Sequence, residues 1–175
     1  MLTKRLSRRD LGVGAAALVV TACAKTGTDA QAQDAMEMKM SDNASGIDWK
    51  NMSEREWKER LTPMEFNVLR KEGTERPGSS PLNDEKREGT FVCAGCALPL
   101  FKSEHKYESG TGWPSFYDVI KENIGTKVDK KLFMARTEYH CARCGGHQGH
   151  VFKDGPKPTG LRYCKNGVAL DFNPA

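Results

Sequence analysis

Six cysteines give this chain most of its chemical capacity, and their spacing sorts them into separate jobs. Cys93-Ala94-Gly95-Cys96 and Cys141-Ala142-Arg143-Cys144 are two CxxC pairs, the spacing of a tetrahedral zinc site with four thiolate ligands. Two disulfides or a redox-active pair are the alternatives. Glycine beside each pair frees the backbone to wrap an ion, and neither pair is followed by histidine as haem attachment requires. A closed site of this kind is chemically quiet, so a reactive sulfur has to be sought elsewhere.

Cys164 stands alone in Leu161-Arg162-Tyr163-Cys164-Lys165-Asn166. In a strand, faces alternate with period two, so Arg162, Cys164 and Asn166 share one side. The same parity groups His150, Phe152 and Asp154. Two such strands side by side gather a thiol, a guanidinium, an imidazole, an amide, a carboxylate and an aromatic ring. A nearby cation and imidazole lower a thiol pKa, the thiolate attacks, and the histidine can deliver a proton to a departing atom. The competing reading of Cys164 is an inert buried thiol. Asn166-Gly167 is also a hairpin-turn dipeptide, and a turn there would break the parity at Asn166.

His147 and His150 have the spacing of metal ligands, which four available thiolates make unnecessary. His105 and His140 read as surface or packing residues. In Gly110-Thr111-Gly112-Trp113-Pro114-Ser115-Phe116 an indole is presented between glycine and proline; Trp113 is either core or the wall of a small apolar pocket suited to a thioether-sized group.

The elements that hold these residues come after a long preamble. Ser7-Arg8-Arg9-Asp10-Leu11 is a twin-arginine pattern, followed by an apolar run from Leu11 to Ala22. That run is shorter than the roughly 20 residues a membrane span needs. Val20-Thr21-Ala22-Cys23 resembles a lipobox, which makes Cys23 a lipidated N-terminus after cleavage; plain cleavage after Ala24 or Ala32 is the rival. The expected organisation is a signal peptide over 1–22, a disordered tether over 23–46 and a catalytic domain over 47–175. Export by the twin-arginine route carries proteins already folded, so metal can enter before the thiols meet an oxidising compartment. The expected place is the periplasmic side of a bacterial membrane, anchored without spanning it. The tether holds Met36, Met38 and Met40 in alternation, read as linker in preference to a Cu(I) site.

The formal charge of +4 belongs to the leader, where Lys4, Arg5, Arg8 and Arg9 face only Asp10; without it the balance is +1. A nearly neutral domain has no electrostatic footprint for nucleic acid. Order is expected from about Trp49. Ser53-Glu54-Arg55-Glu56 is a capping box predicting a short helix through Trp57 towards Leu61. Thr62-Pro63-Met64-Glu65 is a second box, whose helix carries Phe66, Val68 and Leu69 and stops near Gly73. From Gly89 onward the texture is β, with strands expected at Phe91-Val92, 132–139, 150–154 and within 161–172. The fold class is mainly β (α+β), with short N-terminal helices packed on the sheets.

In order along the chain, Gly73-Thr74-Glu75-Arg76-Pro77, the first CxxC, the Trp113 loop, Cys141 through Phe152, and Arg162-Tyr163-Cys164-x-Asn166 resemble the methionine sulfoxide reductase B family over about residues 50–173. The resemblance implies two antiparallel sheets of the β-tent type with one structural Zn2+ on Cys93, Cys96, Cys141 and Cys144. It implies reduction of methionine-R-sulfoxide in oxidised proteins, with Cys164 as nucleophile and His147 and His150 bonding and protonating the oxygen. Trp113 and Phe152 would hold the S-methyl group, and Arg162, Asp154 and Asn166 would polarise the site. Many members carry a resolving cysteine where this chain has Thr111, so the sulfenic acid is expected to need an external small thiol or thioredoxin-like reductant. Lys165 and Gln148 replace usually apolar residues. The protein is expected to be a monomer. A non-catalytic zinc-binding β-tent module and a thiol–disulfide oxidoreductase are the rival functions.

Overall fold

The computed structural model describes residues 46–130 and 135–175. Helix α1 (Glu54–Arg60) and helix α2 (Pro63–Lys71) each begin at the capping box the sequence contains. The Ser53 N–H donates to Glu56 and the Thr62 N–H donates to Glu65, both at 2.7 Å, while each hydroxyl accepts from the N3 backbone. The left-handed residue that ends α2 is Glu72 (φ 56°, ψ 34°), not glycine. Gly73 follows it because any Cβ there would collide with the Asn67 side chain. Trp57, Val68 and Leu69 face inward.

Nine strands follow: β1 (Gly89–Cys93), β2 (Pro99–Lys102), β3 (Lys106–Tyr107), β4 (Ser115–Phe116), β5 (Ile124–Asp129), β6 (Arg136–Cys141), β7 (His147–Phe152), β8 (Arg162–Lys165) and β9 (Leu170–Pro174). They form two sheets, β2-β1-β9 and β3-β4-β8-β7-β6-β5, with every pairing antiparallel. The sheets meet through aromatic rings: Phe101 stacks on Phe116 at 4.2 Å, Phe91 meets Phe116 edge-on at 5.0 Å, and Phe101 touches Tyr139 and Tyr163 edge-on. Such rings supply both large buried area and a preferred geometry. The mainly β fold with two short helices is as expected.

The boundaries differ from expectation in instructive places. Strand β7 begins at His147, three residues earlier than its apolar pattern suggests, and ends at Phe152. The stretch 161–172 is broken by a 3-10 turn, Gly167–Ala169, so Asn166-Gly167 makes no hairpin and β8 and β9 lie in different sheets. Strand β5, largely exposed at a sheet edge, has no apolar alternation to announce it. Leu132–Met134, the twin-arginine pattern, Cys23 and the tether lie outside the described residues. Among the described residues no helix is long and apolar enough to cross a membrane.

Candidate active site

Cys164 sits in β8 between two neighbours, paired with Ser115 of β4 on one side and His150 of β7 on the other. Phe152 pairs with Arg162 one step along, so thiol, imidazole, aromatic ring and guanidinium share a face, as the parity argument required. The Arg162 guanidinium lies over the Phe152 ring at 4.4 Å and donates two hydrogen bonds to Asp154, at 2.9 and 2.8 Å. Asp154 lies beyond the end of β7 and is mostly exposed; its effect on the site runs through Arg162.

His147 reaches the same face by a bulge. On β6 the partners of Gly149 and His147 are the consecutive residues Tyr139 and His140, so β7 carries one extra residue there. Without it, residues three apart would point to opposite sides. With it, the two imidazoles lie 5.5 Å apart. Gly149 within the bulge leaves room for β8, since a Cβ would strike the Cys164 carbonyl oxygen.

Each imidazole faces a carboxylate that is itself held by a cation. His147 Nδ1 is 2.9 Å from Glu138 Oε1, and Glu138 Oε2 is 3.0 Å from Lys127 Nζ. His150 Nε2 is 2.9 Å from Asp129 Oδ2, which also accepts from the Arg136 guanidinium at 2.7 Å. The hydrogen bond to Asp129 fixes the orientation and tautomer of His150, while Glu138 lies close to His147 Nδ1 without hydrogen-bond geometry and acts on it as a charge. Both carboxylates were missed in the sequence because the β5–β6 register, which pairs Asp129 with Arg136, has no local signature.

Asn166 stands just past β8, and its side-chain oxygen accepts the Glu75 N–H at 3.0 Å. The Glu75 carbonyl accepts Trp113 Nε1 at 3.1 Å, and its carboxylate accepts the N–H groups of Gly167 and Val168. One buried glutamate thereby ties the indole loop, Asn166 and the turn after β8 together. Trp113 is only half-buried and stays out of the core. Its loop is latched to β8 by the Lys165 N–H, which donates to the Pro114 carbonyl at 3.0 Å. His105 packs against Tyr117, away from the site, and His140, the β6 partner of His147, lies over Gly125.

Burial pushes the Cys164 thiol up, against the Arg162 charge and hydrogen bonds from Thr111 and Arg162. The expected lowering is therefore reversed: a half-buried sulfur loses more hydration than one guanidinium, already neutralised by Asp154, restores. Burial likewise pushes His147 down, opposed by Glu138. Near pH 7 Cys164 is therefore a protonated thiol and His147 a neutral imidazole. Alkylation of Cys164 by iodoacetamide, followed by peptide mass, is expected to accelerate about tenfold per pH unit from about pH 6 to pH 8, below the raised thiol pKa. A plateau at pH 6–7 would contradict the raised thiol.

The remaining described cysteines form a second centre. Cys93 and Cys96 lie in the turn from β1 to β2, Cys141 and Cys144 in the turn from β6 to β7. The two turns are alike: the Ala97 N–H donates to the Cys93 carbonyl at 2.8 Å and the Gly145 N–H to the Cys141 carbonyl at 2.9 Å. Ala97 and Gly145 both have positive φ, 55° and 69°. All four buried Sγ atoms lie within 4.8 Å of one another, with Cys93–Cys144 at 3.7 Å and Cys96–Cys141 at 3.5 Å. Tetrahedral thiolates 2.3 Å from an ion would stand about 3.8 Å apart. Neighbouring sulfurs push Cys96 and Cys144 strongly up, so a closed set of thiolates here calls for a cation. The cluster can hold a metal ion, and it joins one sheet to the other.

Fold and site together define an oxidoreductase with one accessible thiol facing two imidazoles and a separate metal-holding cysteine cluster. The SelR domain matches residues 61–174. The chain is 56% identical over 121 residues to a peptide methionine sulfoxide reductase MsrB of Methanosarcina barkeri, covering 69% of this chain and 85% of that protein. It is 50% identical over 123 residues to the MsrB of Leptospira interrogans (70% and 94%) and 48% over 125 residues to that of Agrobacterium fabrum (71% and 93%). The chain belongs to the SelR-domain family of methionine sulfoxide reductases B.

Proposed function

We propose that this protein reduces methionine-R-sulfoxide in oxidised proteins, and that Cys164 receives the oxygen as a sulfenic acid. The observation that carries the reading is the pairing of Cys164 with His150, whose ring lies 5.5 Å from that of His147, with Arg162 on the same face of β8. The indole of Trp113 and the ring of Phe152 bound a space for the S-methyl group, and Asn166 and the Asp154-fixed Arg162 orient the polar end. The Cys164 proton passes through an imidazole to the sulfoxide oxygen as the sulfur attacks. The S–O bond to methionine breaks, methionine departs, and the oxygen remains on Cys164 as S–OH. A first external thiol then forms a mixed disulfide with release of water, and a second restores Cys164 while becoming oxidised itself. Zn2+ on Cys93, Cys96, Cys141 and Cys144 has a structural part and takes no part in these steps.

The external reductant, a small thiol or thioredoxin-like protein, follows from Thr111. Its hydroxyl bonds to Cys164, and no other thiol among the described residues is outside the metal cluster. Thr111→Cys is expected to form an intramolecular disulfide with Cys164 after one turnover, visible by peptide mass. Persistence of the sulfenic acid in that variant would contradict the placement. The reaction itself is tested with separated epimers of a methionyl-sulfoxide peptide and dithiothreitol: the R epimer is consumed, and turnover of the S epimer alone would sink the proposal. We further propose that the monomer is exported by the twin-arginine route and anchored through Cys23 on the periplasmic side. Radiolabelled palmitate incorporated in wild type and not in Cys23→Ser tests the anchor.

A further inference from the structure

Gln148 and Lys165 have no task in the chemistry above, yet both side chains are completely buried. Gln148 is the extra residue of the β7 bulge. The bulge that swings His147 towards Cys164 turns Gln148 the other way, where its Nε2 donates to Cys93 Sγ at 3.3 Å. Lys165 follows Cys164 in β8, so it faces the opposite side, with Tyr163, towards the core. Its ammonium lies 5.6 Å from the Phe101 ring centre and 5.7 Å from that of Tyr139. Among the described residues it has no hydrogen-bond acceptor. Burial pushes its pKa down to about 7, and charge on Cys93, Cys141, Cys144 and Glu75 opposes that shift.

A lysine is almost never buried without compensation. A four-thiolate metal centre would supply that compensation. Four thiolates on a divalent ion carry a net charge of −2, and assembling them from four neutral thiols releases protons into a site with no water to screen the change. A neighbouring cation favours that assembly, and an N–H donor on a ligand sulfur favours it further.

We propose that Gln148 and Lys165 form the outer shell of the four-cysteine centre and set how firmly this chain keeps its metal. The proposal rests on the zinc reading of that centre. The two residues are also neighbours in the sheet: β7 and β8 are adjacent, Lys165 pairs with Gly149, and the Asn166 N–H donates to the Gln148 carbonyl at 3.2 Å.

The test is release of zinc from the full-length protein to a chromophoric chelator, with zinc content measured by atomic absorption. Lys165→Met keeps the length and removes the charge. Gln148→Leu removes the donor, and Gln148→Glu replaces it with a negative acceptor. Outer-shell changes typically cost 10–100-fold in metal affinity, so Lys165→Met and Gln148→Leu are each expected to lose zinc about 10–100 times more readily. Gln148→Glu is expected to be worse than Gln148→Leu. A variant that keeps the wild-type far-UV spectrum when zinc-loaded, yet releases zinc no faster, overturns the outer-shell assignment. If Lys165→Met fails to fold, the two Gln148 variants decide by their order. A wild-type protein that never binds zinc overturns the metal reading instead, and the two failures are told apart by wild-type zinc content alone.

Discussion

Cys164→Ser is expected to leave the fold unchanged and to lower sulfoxide reduction by at least about 10³-fold, some 4 kcal/mol in the transition state. Serine fits the half-buried position between Ser115 and His150, so structural damage is not the cause. The hydroxyl is a far weaker nucleophile than sulfur and cannot take up the oxygen as a sulfenic acid. Loss is therefore chemical and near complete. The measurement is the rate of methionine release from the R epimer with dithiothreitol, alongside the thermal midpoint. Retained activity in a folded variant would move the reaction to another sulfur or make the domain a binding module. By comparison, Asp129→Asn and Glu138→Gln act through the imidazoles they face. Their cost is expected to stay within the 10²–10⁴-fold that proton transfer contributes, and to fall on the pH profile.

Stripping the metal is the second large effect. Cys93 and Cys96 lie in the turn after β1 of the three-stranded sheet, Cys141 and Cys144 in the turn after β6 of the six-stranded one, so an ion held by all four would link the two sheets. Each turn is also tied across: Arg143 donates to the Cys96 carbonyl and Arg70 of α2 to the Cys144 carbonyl, both at 2.9 Å. Binding of structural zinc is worth about 10–16 kcal/mol in small domains, while a domain of this size holds only about 5–15 kcal/mol in total. Removal of the metal by a chelator under reducing conditions should therefore abolish the cooperative thermal transition and the near-UV signal of the aromatic core. The same loss is expected of Cys141→Ser. An apoprotein that melts at the wild-type temperature would show that the aromatic packing of Phe91, Phe101, Phe116 and Tyr139 suffices without an ion.

What the chain determines locally was legible as sequence. Both helices start at their capping boxes because the cap is a contact between residues three apart. The cysteines separate into a quartet and a single thiol by spacing alone, and period two put Cys164 with Arg162 and His150 with Phe152 on shared faces, which the β7–β8 register then sets opposite each other. Only the tertiary structure decided the rest. The β7 bulge depends on its register against β6, and it moves His147 to the reactive face while sending Gln148 to the Cys93 sulfur. The grip of Glu75, Asp129 and Glu138 spans contacts between distant segments. The Cys164 thiol rises because burial, which no spacing pattern records, outweighs the charge of Arg162. Local hydrogen bonds and strand parity are properties of neighbouring residues; register, bulges and desolvation belong to the assembled sheets.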